Sequence, residues 1–414
     1  MLTSIIFFLL FLQIIALKAD WISSHRCVGW HFTSNSWLTQ SCHYKNVCYL
    51  NNKDYNGWIY VKSNDDNITT SDDLIVSILP QTTTDDNMWG RKIYFKIISF
   101  DDSISLNLSS IPLKDSTHIL YESYIASNFG HFLADELLPL YALSYRFGLT
   151  KIINDIQVIQ WKDDKPMEWS CDDLSKEKAR GVSNQFMQQE CAKFYLHMFP
   201  LVSPLPLQLL TKSNSSFCVT DMLAGIGWLS DHCYDSTNHG RNNVMPNCPL
   251  TGHMLWKFRL HLMNNNNKYS NGSGINMLPM IPLFISGYDH KRAPPGMLKT
   301  IENLAANLNL TVHSGLMHQM SISEQITLLS RVKLFITTTG GASMISLFLP
   351  EGASVILIAG NDGYLDHNFY SFLSHINVYF MGTRDGILDE RQLQLYIRKA
   401  LFVGNKNFSS FEDG

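Results

Sequence analysis

The chain lacks the basic excess that a nucleic-acid surface requires. Its 32 Lys and Arg are outnumbered by 36 Asp and Glu, for a formal net charge of −4 over 414 residues. A nucleic acid is therefore excluded as the main partner. No Asp-x-Asp triplet occurs, which removes the short carboxylate pair with which many enzymes hold a divalent cation against a diphosphate. No Cys-x-x-Cys occurs either, and Cys42-His43 and His232-Cys233 are adjacent pairs that cannot form the usual chelating turn, so no metal site is expected. The serine-hydrolase elbow Gly-x-Ser-x-Gly is missing, because Ser343 is followed by Met-Ile-Ser and no second glycine. Long apolar runs are absent beyond the N-terminus. There the largely apolar stretch from Ile5 to Leu17 has no Lys or Arg before it, ends near the small Ala19, and falls short of the about 20 residues of a membrane span. Residues 1–19 are expected to be a secretory signal peptide, with an uncleaved type II anchor as the alternative.

What is present agrees with an oxidising lumen. Cys27, Cys42 and Cys48 lie close together, Cys171 and Cys191 flank a helical stretch, and Cys218, Cys233 and Cys248 form a third group. Groups of this size leave at least one disulfide that crosses groups, and spacing alone does not fix which. Sequons at Asn67, Asn107, Asn214, Asn271, Asn309 and Asn407 permit glycosylation. With 45% aliphatic, aromatic and Cys residues, the chain can bury the cores of two domains. Nine Trp and 17 Tyr would suit stacking on sugar C–H faces, although most of these rings belong in a core.

The most informative stretch, Lys333 to Ile358, reads as a buried strand, a turn at Gly340-Gly341, a short helix from Ser343 to Leu349 and a second buried strand. The turn glycines permit close approach of a ligand, and the first N–H groups of the helix, with Thr337, Thr338, Thr339 and Ser343 beside them, could hold a phosphate. The same pattern also occurs in α/β domains with no ligand there. Strand and helix alternate on both sides of it. Leu283–Ile285, Leu310–Val312, Ser354–Ile358 and Val378–Phe380 read as strands, and Gly296–Leu308, Tyr370–His375 and Glu390–Leu401 as helices, with Ser321 or Ser323 capping another. This predicts a doubly wound parallel sheet.

The first half is less regular. Ile75–Leu79, Lys92–Ile98, Ile119–Tyr124 and Asp155–Trp161 read as strands and Lys176–Met198 as helix. Asp65-Asp66-Asn67, Asp72-Asp73, Asp85-Asp86 and Asp163-Asp164 read as solvated turns, and Asn264–Asn267 with the Gly-Ser segment after it as a mobile loop. A domain boundary is expected near Asn238–Pro249, giving domains at 20–245 and 246–414. In Asn128–Tyr141, NFGHFLADELLPLY, Asn128 can cap a helix on which His131 and Asp135 sit one turn apart on one face, with Pro139 ending or kinking it. Either group of this pair could be a general base supported by the other, or the pair could be structural.

Three ordered blocks resemble family 61 glycosyltransferases. One comprises Ile285-Ser286, Lys291-Arg292, Ser321 with Glu324-Gln325, Gly340–Ala342 and Phe348-Leu349-Pro350-Glu351-Gly352-Ala353. The second is Asn128–Tyr141, similar to the family's Asn-x-x-His-x-x-x-Asp-x-Leu-x-Pro-Leu, and the third is Ser41–Tyr49, SCHYKNVCY. The resemblance spans roughly residues 40 to 380. It implies a GT-B-like α/β fold with two Rossmann-like domains facing across a cleft, and a last helix packing back on the first domain. It also implies an inverting transfer from a nucleotide sugar, with UDP as the nucleotide, to a hydroxyl of a protein or glycan in the endoplasmic reticulum or Golgi, without a metal or other cofactor. On this resemblance Asp135 and His131 would be catalytic. Asn128 and Glu136 would lie on the acceptor side, and Thr338, Thr339, Gly340, Gly341, Ala342, Ser343, Glu324, Lys291 and Arg292 would bind the donor. Thr339 stands where many members have His and Gly287 where many have Arg. This leaves an inactive carbohydrate- or nucleotide-binding module as the alternative, with Lys291, Arg292 or Arg259 left to supply positive charge.

Overall fold

A computed structural model describes residues 22–29, 37, 40–53, 55–63, 68, 74–78, 92–123, 128–161, 184–211, 215–227, 229, 250–269, 279–289, 293–359, 367–384 and 386–402. The signal segment, the four Asp runs, the Asn238–Pro249 boundary, the Gly-Ser segment, Cys171, Cys233, Cys248, Lys291 and Arg292 lie outside them. The chain is α/β and divides into two compact units that interleave in sequence. The first comprises Met1–Tyr124, Pro139–Asp172 and Ser203–Trp228, and the second Ile125–Leu138, Asp173–Val202 and Leu229–Gly414. The segment carrying Asn128, His131 and Asp135 thus belongs to the same unit as Gly340 and Gly341.

The strands of the first unit are β1 (Ser24–Val28), β2 (Ser41–Asn51), β3 (Asn56–Lys62), β4 (Val76–Ser77), β5 (Lys92–Ile93), β6 (Phe95–Ser99), β7 (Leu113–Glu122), β8 (Gln157–Trp161), β9 (Gln208–Leu210) and β10 (Phe217–Ala224). One sheet runs β6-β3-β2-β10-β7-β8-β9 with β1 also on β2, and β4 pairs with β5 separately. The expected parallel sheet is here a mixed one: β7, β8 and β9 are parallel to β10, but β2 is antiparallel to β1, β3 and β10. Its core is aromatic, with Tyr44, Tyr49, Trp58, Tyr60, Phe95 and Phe217 in one cluster. Two disulfides, Cys27–Cys42 and Cys48–Cys218, join directly paired residues of adjacent strands, and the second crosses the cysteine groups over a sequence separation of 170.

The second unit carries β11 (Ile281–Ile285), β12 (Val312–Ser314), β13 (Val332–Thr338), β14 (Ser354–Ala359), β15 (Asn377–Arg384) and β16 (Ile387–Leu388). Their order is β12-β11-β13-β14-β15-β16, parallel except at β16. Side chains alternate across the strands, so both faces can be buried. Leu283, Ile285, Leu334, Ile336, Ile356 and Ile358 pack with helices Met297–Ala306 and Glu390–Phe402. On the opposite side Phe284 and Phe335 stack 6.1 Å apart, and helix Ile322–Leu329 and segment Gly341–Phe348 pack on each other and on β13. The chain enters at β11, steps out to β12, then returns past β11 to β13. A doubly wound sheet of this order has its topological switch point between the C-terminal ends of β11 and β13, where such folds bind ligands.

The Asn run does not form a loop. Asn264–Asn267 lie within helix Gly252–Tyr269, where Asn265 Nδ2 donates to Leu201 O at 2.8 Å and His261 bonds Val202 O at 3.1 Å. Tertiary partners for these side chains override the weak helix propensity of Asn. Among the described residues, no helix is long and apolar enough to cross a membrane.

Two stability predictions follow from these cores. Replacing both Cys48 and Cys218 by Ser should cost about 5 kcal/mol, against about 3 kcal/mol for the Cys27 and Cys42 pair with its separation of 15, because the longer loop loses more unfolded-state entropy when closed. Denaturant unfolding of the two double variants measures this, and equal losses would contradict it. The second prediction concerns pH. Burial, above all, pushes both His118 and His375 down to about 4, so each is neutral when folded and protonates more readily when unfolded. Their contribution is complete above about pH 6.5 and is lost as pH falls towards 4, on the order of 2 kcal/mol each at pH 5. Melting temperature from pH 7 to 5 should therefore fall, and His118→Gln or His375→Gln should flatten that slope.

Candidate functional site

The switch point is built from residues that end β11 and β13. After β11 come Ser286 and Gly287, the latter with φ 71, in the left-handed region that favours glycine. A Cβ on Gly287 would lie 2.8 Å from Thr338 Oγ1 and 2.9 Å from Thr337 Oγ1. The position therefore cannot carry an arginine while those two threonines keep their places. Thr338 Oγ1 in turn donates to Gly287 O at 3.4 Å, and Thr339 N donates to Ile358 O at 3.0 Å, so the end of β13 is tied to both of its neighbours.

Beyond Thr339 the chain turns at Gly340 and the expected short helix forms as a 3-10 helix, Gly341–Phe348, starting two residues before Ser343. The local cause is Ser343, whose N and Oγ both donate to Gly340 O, at 2.9 and 2.6 Å, closing a tight three-residue turn. Ser343 Oγ also meets Tyr370 Oη in a short hydrogen bond. This expected donor-binding hydroxyl is thus engaged inside the fold and nearly fully buried. Ala342 is exposed and Gly341 half-buried at the start of the segment. At its other end, His375 Nε2 donates to Leu347 O at 3.1 Å and the guanidinium of Arg259 to Phe348 O at 3.4 Å. Arg259 lies over the Trp256 ring, and burial lowers it to about 10, which leaves it cationic at neutral pH. Arg259 caps the end of the segment away from the turn and does not supply charge at Gly340-Gly341.

Against the turn lies the start of the Asn128 helix. Asn128 Oδ1 accepts from Gly130 N at 2.9 Å, the expected cap. A Cβ on Gly130 would be 2.5 Å from Gly341 Cα, and one on Gly341 would be 2.0 Å from Asn128 Oδ1. Only glycine at both positions permits this backbone-to-backbone approach. One turn on, His131 Nδ1 donates to Asp135 Oδ2 at 2.6 Å, with the histidine side chain 24% exposed and the carboxylate fully buried. Glu136 is fully buried as well, and Tyr195 Oη donates to it at 3.4 Å. Pro139 does not end this helix. Phe132–Leu137 widens into a π-helical turn, with Leu138 N donating to Leu133 O, and an α-helix continues over Leu138–Arg146. The wider turn makes room for the proline ring and for the missing N–H, and such π turns are frequent at functional sites.

Glu324 sits in the first turn of helix Ile322–Leu329. It completes a capping box in which Ser321 N donates to Glu324 Oε2 at 2.7 Å and Glu324 N to Ser321 Oγ at 3.2 Å, on an exposed helix start. The carboxylate thus caps its own helix. The structure therefore brings together Asn128, His131, Asp135, Thr338, Thr339, Gly340 and Gly341. Sequence reasoning missed Gly130, although a glycine at a helix start was a visible sign of close approach. It also missed Tyr370 and Tyr195, which carry no sequence signal of their partners.

Gly341→Ala should lower stability by about 1 to 3 kcal/mol through overpacking against Asn128. In an Asn128→Gly background the loss should shrink, because the nearest atom is gone. Thermal melts of the four proteins test this, and strictly additive effects would contradict it. No family model matches the chain, and no curated protein is significantly similar to it.

Proposed function

We propose that the chain is an inverting, metal-independent glycosyltransferase that moves a sugar from a nucleotide sugar, with UDP as the nucleotide, to a hydroxyl of a protein or glycan acceptor. The observation that carries this reading is the docking of the His131–Asp135 helix on the glycine turn at the switch point of a parallel sheet. A diphosphate at that turn would meet the first N–H groups of Gly341–Phe348, which a helix leaves without internal partners. The acceptor hydroxyl oxygen attacks the anomeric carbon of the sugar on the face opposite the diphosphate. As the new C–O bond forms, the bond from the anomeric carbon to the diphosphate oxygen breaks, and configuration inverts. The proton of the hydroxyl goes to a base. The buried Asp135 accepts from Nδ1 of His131 and so leaves Nε2 of the half-buried ring as the proton acceptor, which makes His131 the base and Asp135 its positioning partner. The resemblance to family 61 supports this reading and implies a GT-B arrangement. The two disulfides and the absence of a long apolar helix among the described residues are compatible with a secreted or lumenal protein.

The second reading is a module that binds the nucleotide without turnover. Gly287, closed in by Thr337 and Thr338, favours it, because residue 287 itself cannot be an arginine there.

His131→Ala should lower kcat by roughly a hundredfold or more with the dissociation constant for UDP nearly unchanged, and Asp135→Asn should cost less. Turnover assays and calorimetry together check this. Joint loss of melting temperature and UDP affinity in both variants would make the pair structural, and UDP binding with no turnover in the parent protein would favour the second reading.

A further inference from the structure

Two of the six sequons lie within the described residues, Asn107-Leu108-Ser109 and Asn309-Leu310-Thr311, and they share one local geometry. Each asparagine follows a helix, Phe100–Ser105 or Met297–Ala306, and is exposed in the left-handed conformation, with φ 53 at Asn107 and φ 52 at Asn309. The middle leucine turns inward: Leu108 is buried, and Leu310 packs on the core of the second unit. Ser109 and Thr311 are exposed. At the first sequon Ser109 Oγ donates to Asn107 Oδ1 at 3.4 Å, a bond that draws electron density from the amide and acidifies its Nδ2 hydrogens. Asparagine is also simply well suited to left-handed backbone. That preference explains the asparagine and leaves the hydroxyl two residues later unexplained at both sites.

We propose that Asn107 and Asn309 are N-glycosylated in the secretory lumen. This rests on lumenal entry and not on the transferase activity. The co-substrate is an oligosaccharide linked through diphosphate to a polyprenyl lipid. Asn Nδ2 attacks the anomeric carbon, the C–N bond forms as the C–O bond to the lipid diphosphate breaks, and the amide proton leaves to a base. A glycan placed on the nascent chain at either asparagine stays outside the fold, because nothing in either turn has to move to admit it. Each glycan also covers surface that water meets poorly. Asn107 is flanked by Ile104 and Leu106, which are 60% and 39% exposed. Asn309 stands three residues before β12, an end strand of the second sheet, where a bulky polar group would oppose pairing with another chain.

The test uses the full chain expressed in secretory eukaryotic cells. Purified protein is treated with peptide N-glycosidase in heavy-oxygen water, and peptides holding residues 107 and 309 are read by mass spectrometry, together with the Cys48–Cys218 bridge. Both asparagines should be recovered as heavy-oxygen aspartate, and Ser109→Ala and Thr311→Ala, which keep the asparagines, should each abolish the label at their own site. Unmodified Asn107 and Asn309 in protein whose Cys48–Cys218 bridge has formed would overturn the proposal itself. Unmodified asparagines with both cysteines reduced would overturn it by removing the lumenal entry on which it rests.

Discussion

The candidate site depends on one contact, the approach of Gly130 to Gly341. A methyl group on either residue would fall 2.5 Å or less from an atom of the facing segment. This steric requirement sets what surrounds it. Ser343 and Tyr370 hold the turn from behind, Asn128 caps the helix at the contact, and Thr338 and Gly287 close the neighbouring strand end. The helix is thereby fixed at its first turn, and His131 is held one residue from Gly130. The π turn that follows keeps Asp135 under the imidazole while the helix runs on through Pro139.

A buried carboxylate that supports a part-exposed histidine is an arrangement suited to proton transfer. Asp135 has no exposed surface, so an acceptor hydroxyl cannot reach it in this state, whereas the histidine side chain is 24% exposed. Burial thus distinguishes the two residues, which spacing along a helix could not do, and in the proposed reaction gives them different parts. The positive charge that a leaving diphosphate needs is a separate matter. Arg259 is committed to the far end of Gly341–Phe348, and Gly287 excludes a side chain beside Thr338. Among the described residues, backbone N–H groups at the turn are donors that could meet it.

The second unit was largely legible in the sequence because its strands are buried on both faces and read as short continuous apolar runs, as at Leu334–Ile336 and Ser354–Ile358. Ser321 was readable as a helix cap, and the Ser-x-x-Glu pattern that makes Glu324 its reciprocal partner was visible in the sequence as well. The first unit was harder. In β2, SCHYKNVCYLN, polar residues interrupt the apolar ones, and its partner β10 lies far along the chain. Neither the antiparallel pairing nor the Cys48–Cys218 bridge has a local signal. The Asn264–Asn267 run was misread for a similar reason, because the groups that make it helical, Leu201 O and Val202 O, come from a distant segment.

Amide hydrogen exchange with and without UDP tests the central claim most directly. A nucleotide held at the switch point should slow exchange at Gly341, Ala342 and Phe129–His131 together, because the two segments share one contact. Protection confined to the first unit, or no protection at either segment at saturating UDP, would contradict the account.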